Sequence, residues 1–376
     1  MRKSTSPSKA RKGLAVAAVP TAIAVGLALL PNATAQSSVG DLSSAIGGDS
    51  SLSDHFAPKE PPARTPLNTE YPDVKGLPEG VKINRVEYLT NRHLMVYIKS
   101  AAMPDKEQKV QIQLARDWYS HPEKKFPEVW ALDGLRARDD ESGWTIETNI
   151  LNQYADRNVN LVMPVGGESS FYSDWQQPDA GKNYKWETFL TSELPGYLER
   201  NFGVARNNNS IAGLSMGAGA ALTLAAKHPN QFRQALSYSG FLTTTVPGAQ
   251  TMMRFAMLDA GGFNINAMYG SLFNPKRFQN DPLLLIPQLR NTNLYISAAS
   301  GVPGAGDSHY LPEHQAAGAA LEFGSNITTR VWEGAARLQG LNPTVDYPAQ
   351  GLHNWEQFGY QLNRSKPQVL NVMNAW

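Results

Sequence analysis

From about residue 80 onward, short apolar runs alternate with stretches where large apolar side chains return every third or fourth position. The segments 81–87, 94–98 and 110–114 read as strands. The runs 127–132 and 159–163 are mostly apolar, and each ends in a loop rich in Asp, Gly and Pro, the pattern of buried strands. Helical patterns fit 188–200, 216–227 and 310–323, and further strands are expected at 209–212, 234–239, 293–297 and 328–332. Strands alternating with helices predict a mostly parallel sheet covered on both faces.

The amino-terminal stretch has another texture. Arg2, Lys3, Lys9, Arg11 and Lys12 precede an apolar run over 13–30, followed by Ala33-Thr34-Ala35. Cations, an apolar segment and a small-residue cleavage pattern predict a secretory signal peptide over 1–35, removed before Gln36. An uncleaved anchor is the competing reading, because the run approaches a spanning length; Pro20 and the small residues before Gln36 weigh against it. Residues 36–75 are rich in Ser, Gly, Asp and Pro and are expected to form a flexible leader. Charge and composition do not break again, so 76–376 reads as one catalytic domain, secreted or held in the cell envelope.

Composition narrows the function classes. The chain has 376 residues and is 41% hydrophobic, enough to build a sizeable core. Its net charge of +1 comes from the amino-terminal cations, since without those five residues 29 Lys and Arg face 33 Asp and Glu. A nucleic-acid-binding protein normally keeps a basic face, so that partner is not expected. Cysteine is absent. Disulfides, thiolate metal sites and a cysteine nucleophile are therefore excluded.

Gly213-Leu214-Ser215-Met216-Gly217 is a complete G-x-S-x-G, with an apolar strand before it and a small-residue helix after it. A strand–elbow–helix turn needs glycines on either side of the serine so that strand and helix can approach. The turn lifts the Ser215 hydroxyl above the sheet and sets the Met216 N–H at a helix N-terminus, where the dipole favours a developing oxyanion. A serine nucleophile needs a base. Of seven histidines, His353 lies in the loop Gly351-Leu-His-Asn-Trp355 near the C-terminus, where the order nucleophile, acid, base places it. The acid must fall between them, and Asp259, Asp281, Asp307, Glu313, Glu322, Glu333 and Asp346 all qualify by spacing. Two more loops follow buried strands: Leu132-Asp133-Gly134-Leu135-Arg136, and 164–175, whose mixture of polar and aromatic residues suits a sugar.

On these residues the chain resembles the antigen 85 mycolyltransferases and their relatives in corynebacteria-type organisms. The matching segments include 132–140 with Gly143-Trp144, 164–175, 184–195, 213–216, His228-Pro229, 259–262, 280–282 and His353 with Trp355, covering about 120–365. The resemblance implies an α/β-hydrolase fold and transfer of a mycolyl group from trehalose monomycolate to a second one or to cell-wall arabinogalactan. It implies Ser215 as nucleophile and His353 as base, with the N–H groups of Leu135 and Met216 as the oxyanion hole. It further implies that Asp133 and Arg136 contact trehalose and that Trp355 borders the site. Alignment across a gap in 293–332 pairs Leu321-Glu322 with the family's acid and assigns Glu322 to the triad, with Asp307 and Glu313 as alternatives. On a helix ending near Phe323, Glu322 would also sit where the dipole disfavours a carboxylate, so a charge kept there calls for another reason.

The sequence thus reads as a secreted serine acyltransferase with an acyl-enzyme intermediate and no metal or organic cofactor. Trehalose mycolates and cell-wall glycan are the expected partners, with room for peripheral contact with the outer lipid layer. A secreted carboxylesterase with the same triad, and a non-catalytic matrix-binding adhesin on the same scaffold, are the alternatives.

Overall fold

The computed structural model describes residues 59–376; the signal peptide read at 1–35 and the leader up to residue 58 lie outside the described residues. Ten strands form one sheet: β1 (Asn68–Glu70), β2 (Lys82–Tyr88), β3 (His93–Lys99), β4 (Gln108–Gln113), β5 (Phe126–Leu132), β6 (Asn160–Val165), β7 (Val204–Leu214), β8 (Phe232–Tyr238), β9 (Asn293–Ser297) and β10 (Thr344–Asp346). Their spatial order is β1-β2-β3-β4-β6-β5-β7-β8-β9-β10. Pairing is antiparallel from β1 through β4 to β6 and parallel from β6 to β10. β1 lies inside the stretch read as leader, so the folded domain begins earlier than residue 76. Its pairing with β2 and the ion pair of Arg64 with Glu141 tie 59–75 to the rest.

Alternation along β5 shows why the sheet must be covered twice. Val129 and Ala131 enter one apolar layer, while Trp130 and Leu132 enter the other. The first layer is closed by α1 (Gly143–Glu147), α2 (Ile150–Tyr154) and the carboxy-terminal helix. The second is closed by α3 (Leu194–Phe202) and α4 (Met216–Lys227), with Trp332 from a later helix. After β8 the chain makes α5 (Ala249–Gly261), α6 (Ile265–Tyr269) and α7 (Pro275–Phe278), then β9, α8 (Pro312–Leu338), β10 and α9 (Trp355–Met373). Strand order reverses at β5, between β6 and β7, and a doubly wound sheet opens a crevice at the carboxyl ends of such strands. That crevice positions the site.

Two expectations need correction. The strand expected at 328–332 is instead part of α8, which runs 27 residues without a break. Its β-branched Thr328, Thr329 and Val331 suggested a strand, but Glu322, Ser325, Thr328, Thr329, Trp332 and Ala336 bury at helical spacing. Packing of that face outweighs the weak local propensity. Because α8 continues to Leu338, Glu322 sits mid-helix, away from the unfavourable end of the helix dipole.

Candidate active site

Ser215 follows the last residue of β7 and precedes α4, with φ 51° and ψ −115°. A non-glycine residue with positive φ is strained by order 1–3 kcal/mol and persists only where its surroundings fix it. Here the Ser215 N–H donates to the Tyr238 carbonyl at 2.9 Å, tying the elbow to β8. The flanking glycines are required by space. A Cβ on Gly213 would lie 2.1 Å from the Gly217 carbonyl oxygen, and one on Gly217 would lie 2.5 Å from the Asp133 carbonyl oxygen.

The hydroxyl raised by this turn meets a histidine. Ser215 Oγ lies 2.8 Å from His353 Nε2, and His353 Nδ1 lies 2.9 Å from Glu322 Oε2. With Nδ1–H donating to the carboxylate, Nε2 is left to accept the serine proton. Glu322 is fully buried, and its other oxygen accepts from Ser239 Oγ at 2.7 Å and from the Ala299 N–H at 2.6 Å. The Leu135 and Met216 N–H groups have no acceptor among the described residues. Met216 is tied to the neighbouring loop instead by its sulfur, which accepts from the Phe171 N–H at 3.3 Å.

Comparison with known proteins gives this arrangement a family. A profile described as putative esterase matches residues 100–369. The diacylglycerol acyltransferase/mycolyltransferase Ag85A of Mycobacterium tuberculosis is 42% identical over 255 residues, 66% of this chain and 74% of that protein. Ag85B of Mycobacterium avium, with the same description, is 40% identical over 259 residues, 66% of this chain and 76% of its own length. The chain belongs to the antigen 85 mycolyltransferase family. Among solved structures, Mycobacterium tuberculosis MPT51 superposes with a TM-score of 0.63 at 28% identity, covering 73% of this chain and 96% of that one. A ferulic acid esterase, at 17% identity and a TM-score of 0.56 over 75% of this chain and 98% of that one, shares the α/β-hydrolase-like fold.

In this antigen 85 chain the residues expected to touch sugar are not equally open. Asp133 is 2% exposed. Its Oδ2 accepts from the Gly143 N–H at 3.2 Å, Oδ1 has no partner among the described residues, and burial pushes the carboxyl up to about 7. The Trp355 ring lies against Gly143 so closely that a Cβ there would be 2.5 Å from the ring, and it meets Trp144 edge-on. Arg136 is engaged in an ion pair with Asp259 of α5. The loop over 164–175 departs from the expected sugar wall. Tyr172 and Trp175 are buried in the core, against Trp186 and Tyr184, and only Glu168, Phe171 and Asp174 are partly open. Their large apolar area turns inward, with Ser169, Phe171 and Tyr172 taking positive φ to allow it.

Of the alternative acids, Asp307 is buried but takes hydrogen bonds from Asn354 Nδ2 at 2.6 Å and the Gly304 N–H at 2.7 Å, and Glu313 is exposed. Neither meets His353. Sequence reasoning missed Ser239, which directly follows β8 one strand over from the elbow, has φ 51° and holds Glu322. It also missed Gln361 of α9, whose amide donates to Ser239 Oγ at 3.0 Å and Ser297 Oγ at 3.1 Å. The Ser239-Gly240 pair closing a buried strand beside the elbow was the available signal; Gln361 carries none.

Proposed function

We propose that the chain is an exported serine acyltransferase that moves a mycolyl group from trehalose monomycolate to a second trehalose monomycolate or to cell-wall arabinogalactan. The observation that carries this reading is the unbroken hydrogen-bond line Ser215–His353–Glu322 beside two N–H groups without acceptors. The mycolyltransferase activity named for its Ag85 relatives supports the choice of acyl group.

In the first half-reaction His353 Nε2 takes the Ser215 proton as Oγ attacks the ester carbonyl. The oxyanion is held by the Leu135 and Met216 N–H groups, and Glu322 keeps the imidazolium oriented and stabilised. The C–O bond to trehalose breaks, His353 returns the proton to the departing sugar oxygen, and the acyl group stays on Ser215. An acceptor hydroxyl then gives its proton to His353 and attacks the acyl-enzyme; the bond to Oγ breaks and His353 returns that proton to Ser215 Oγ. Transfer must win against about 55 M water, so acceptor positioning decides the outcome. Asp133 is too buried to meet a sugar hydroxyl without local opening, so Arg136 and Trp355 are the groups placed to position the sugar.

Purified protein given trehalose monomycolate should form trehalose dimycolate and free trehalose, read by lipid chromatography. Ser215→Ala should abolish this while melting within about 0.5 kcal/mol of wild type. Arg136→Ala should reduce transfer to trehalose much more than hydrolysis of a short p-nitrophenyl ester. Release of free mycolic acid alone would make the protein a carboxylesterase, and turnover by Ser215→Ala would defeat the serine mechanism.

A further inference from the structure

The segment between β8 and β9 forms a cap attached to the catalytic edge. Asp259 of α5 pairs with Arg136, and the Gln176 side chain donates to Asn274 Oδ1 at 3.1 Å. Gln176 continues the loop whose Phe171 N–H meets Met216. Inside the cap, Arg277 is 2% exposed and makes five hydrogen bonds. They reach Gln250 of α5, Asn266 of α6 and the carbonyls of Gly270 and Ser271, with no carboxylate among them. A buried guanidinium spread over neutral acceptors on three elements fixes the loop between them.

That fixed loop presents apolar side chains to water. Phe273 is 82% exposed and Leu272 53%, and Phe278 beyond them is 41% exposed. Single exposed apolar residues are ordinary, but neighbours on a pinned loop beside an active site mark an interaction surface. Within the cap the uncompensated charges are cationic, although Asp174 and Glu187 of the neighbouring segment lie within electrostatic reach of Lys276. Exposed Arg254 and half-buried Lys276 make no ion pair among the described residues. Of the cap's carboxylates, Asp259 is engaged by Arg136, and Asp281 is buried under hydrogen bonds from Thr243, Thr244 and Thr245.

We propose that the Leu272–Phe273 tip inserts into a lipid layer carrying anionic headgroups, with Arg254 and Lys276 supplying the electrostatic attraction. Buried apolar area plus cations is the combination that binds such surfaces, and it would bring the catalytic edge to lipid-held acyl donors. Only the choice of a lipid partner rests on the acyl-transfer reading.

The test is co-sedimentation of the full protein in its inactive Ser215→Ala form with vesicles of phosphatidylcholine and phosphatidylglycerol in equal parts. This protein should partition onto the vesicles, and adding Leu272→Ser with Phe273→Ser should weaken partition at least tenfold. Arg254→Glu should weaken it several-fold on these vesicles and leave binding to pure phosphatidylcholine unchanged. With Ser215 intact, the double tip variant should hydrolyse a soluble short-chain ester within twofold of wild type, showing that the fold survives. If it does not, Phe273→Ala alone takes its place. Absence of vesicle binding, equal binding by the tip variants, or self-association that the tip variants abolish would overturn the proposal, the last by making a second copy the occupant. Failure of the acyl-transfer reading would appear separately, as release of free mycolic acid with no trehalose dimycolate when wild type is given trehalose monomycolate.

Discussion

Two glutamates are sealed from solvent at opposite ends of the parallel strands, and they have been given different surroundings. Glu322, above the carboxyl ends, meets three donors within 3 Å: His353 Nδ1, Ser239 Oγ and the Ala299 N–H. Glu128, near the amino end of β5, accepts only from Trp130 Nε1 at 2.9 Å, and its second oxygen has no partner among the described residues. Burial pushes the Glu128 carboxyl up to about 8. Donors that bond to the charged form favour it, whereas burial without them favours the neutral acid. Inaccessibility alone therefore does not mark a functional carboxylate; contact with the histidine that meets the elbow serine does.

The comparison breaks most readily at Glu322. Glu322→Gln should leave the melting profile cooperative and cut kcat on a short p-nitrophenyl ester by about 10³–10⁴, since an amide cannot stabilise the imidazolium or select its tautomer. Glu128→Gln should leave kcat within twofold. If the two variants were equally active, the triad assignment would be lost.

Next in size is Ser239→Ala, which takes one donor from Glu322 while leaving the acid and His353 in place. Hydrogen bonds to charged groups are worth about 1.5–3 kcal/mol, so kcat should fall roughly tenfold or somewhat more with KM unchanged. A loss confined to stability would make Ser239 a backbone support with no part in orienting the acid.

Glu128 gives the smallest effect, and it depends on pH. Its folded-state value is raised above the unfolded one, so its contribution is fully present below about pH 4.5 and is lost as pH rises through about 8. Asp133, raised to about 7, acts in the same direction. Glu128→Gln removes one of these two terms, so its melting temperature should match wild type near pH 5 and exceed it by roughly 2–4 °C near pH 9. Thermal scans across that range would check it. A variant less stable at pH 9 would mean that the Glu128 proton is not retained in the folded state.

The proposed catalytic line was legible in the sequence to an uneven degree. Ser215 announced itself because an elbow needs Gly213 and Gly217 at fixed offsets, and steric rules survive in any chain. The expected helix at 216–227 and strand at 293–297 coincide with α4 and β9. Glu322 could be reached only by resemblance, because seven carboxylates fit between nucleophile and base. The helix bearing it runs past the expected end at 323, since β-branched residues at 328–331 mimic a strand until tertiary packing is seen. Tyr172 and Trp175 misled for the opposite reason. An aromatic residue in a polar loop looks like a sugar platform, and only the fold shows which way the ring turns.

The length of α8 has a consequence for how steadily the site is held. Amides near helix ends open and exchange with solvent far more readily than those several turns inside. Glu322 lies ten residues from Pro312 and sixteen from Leu338, on a helix about 40 Å long. End fraying on either side must melt several turns before it reaches the carboxylate. The His353 loop, by contrast, is anchored to this helix by the His353 N–H bonding to the Gly318 carbonyl at 3.1 Å, only six residues in from Pro312. In deuterium exchange the amides around 322 should therefore be among the slowest in the helix. Those at 312–318 should exchange first, so that the base is released from its support before the acid moves.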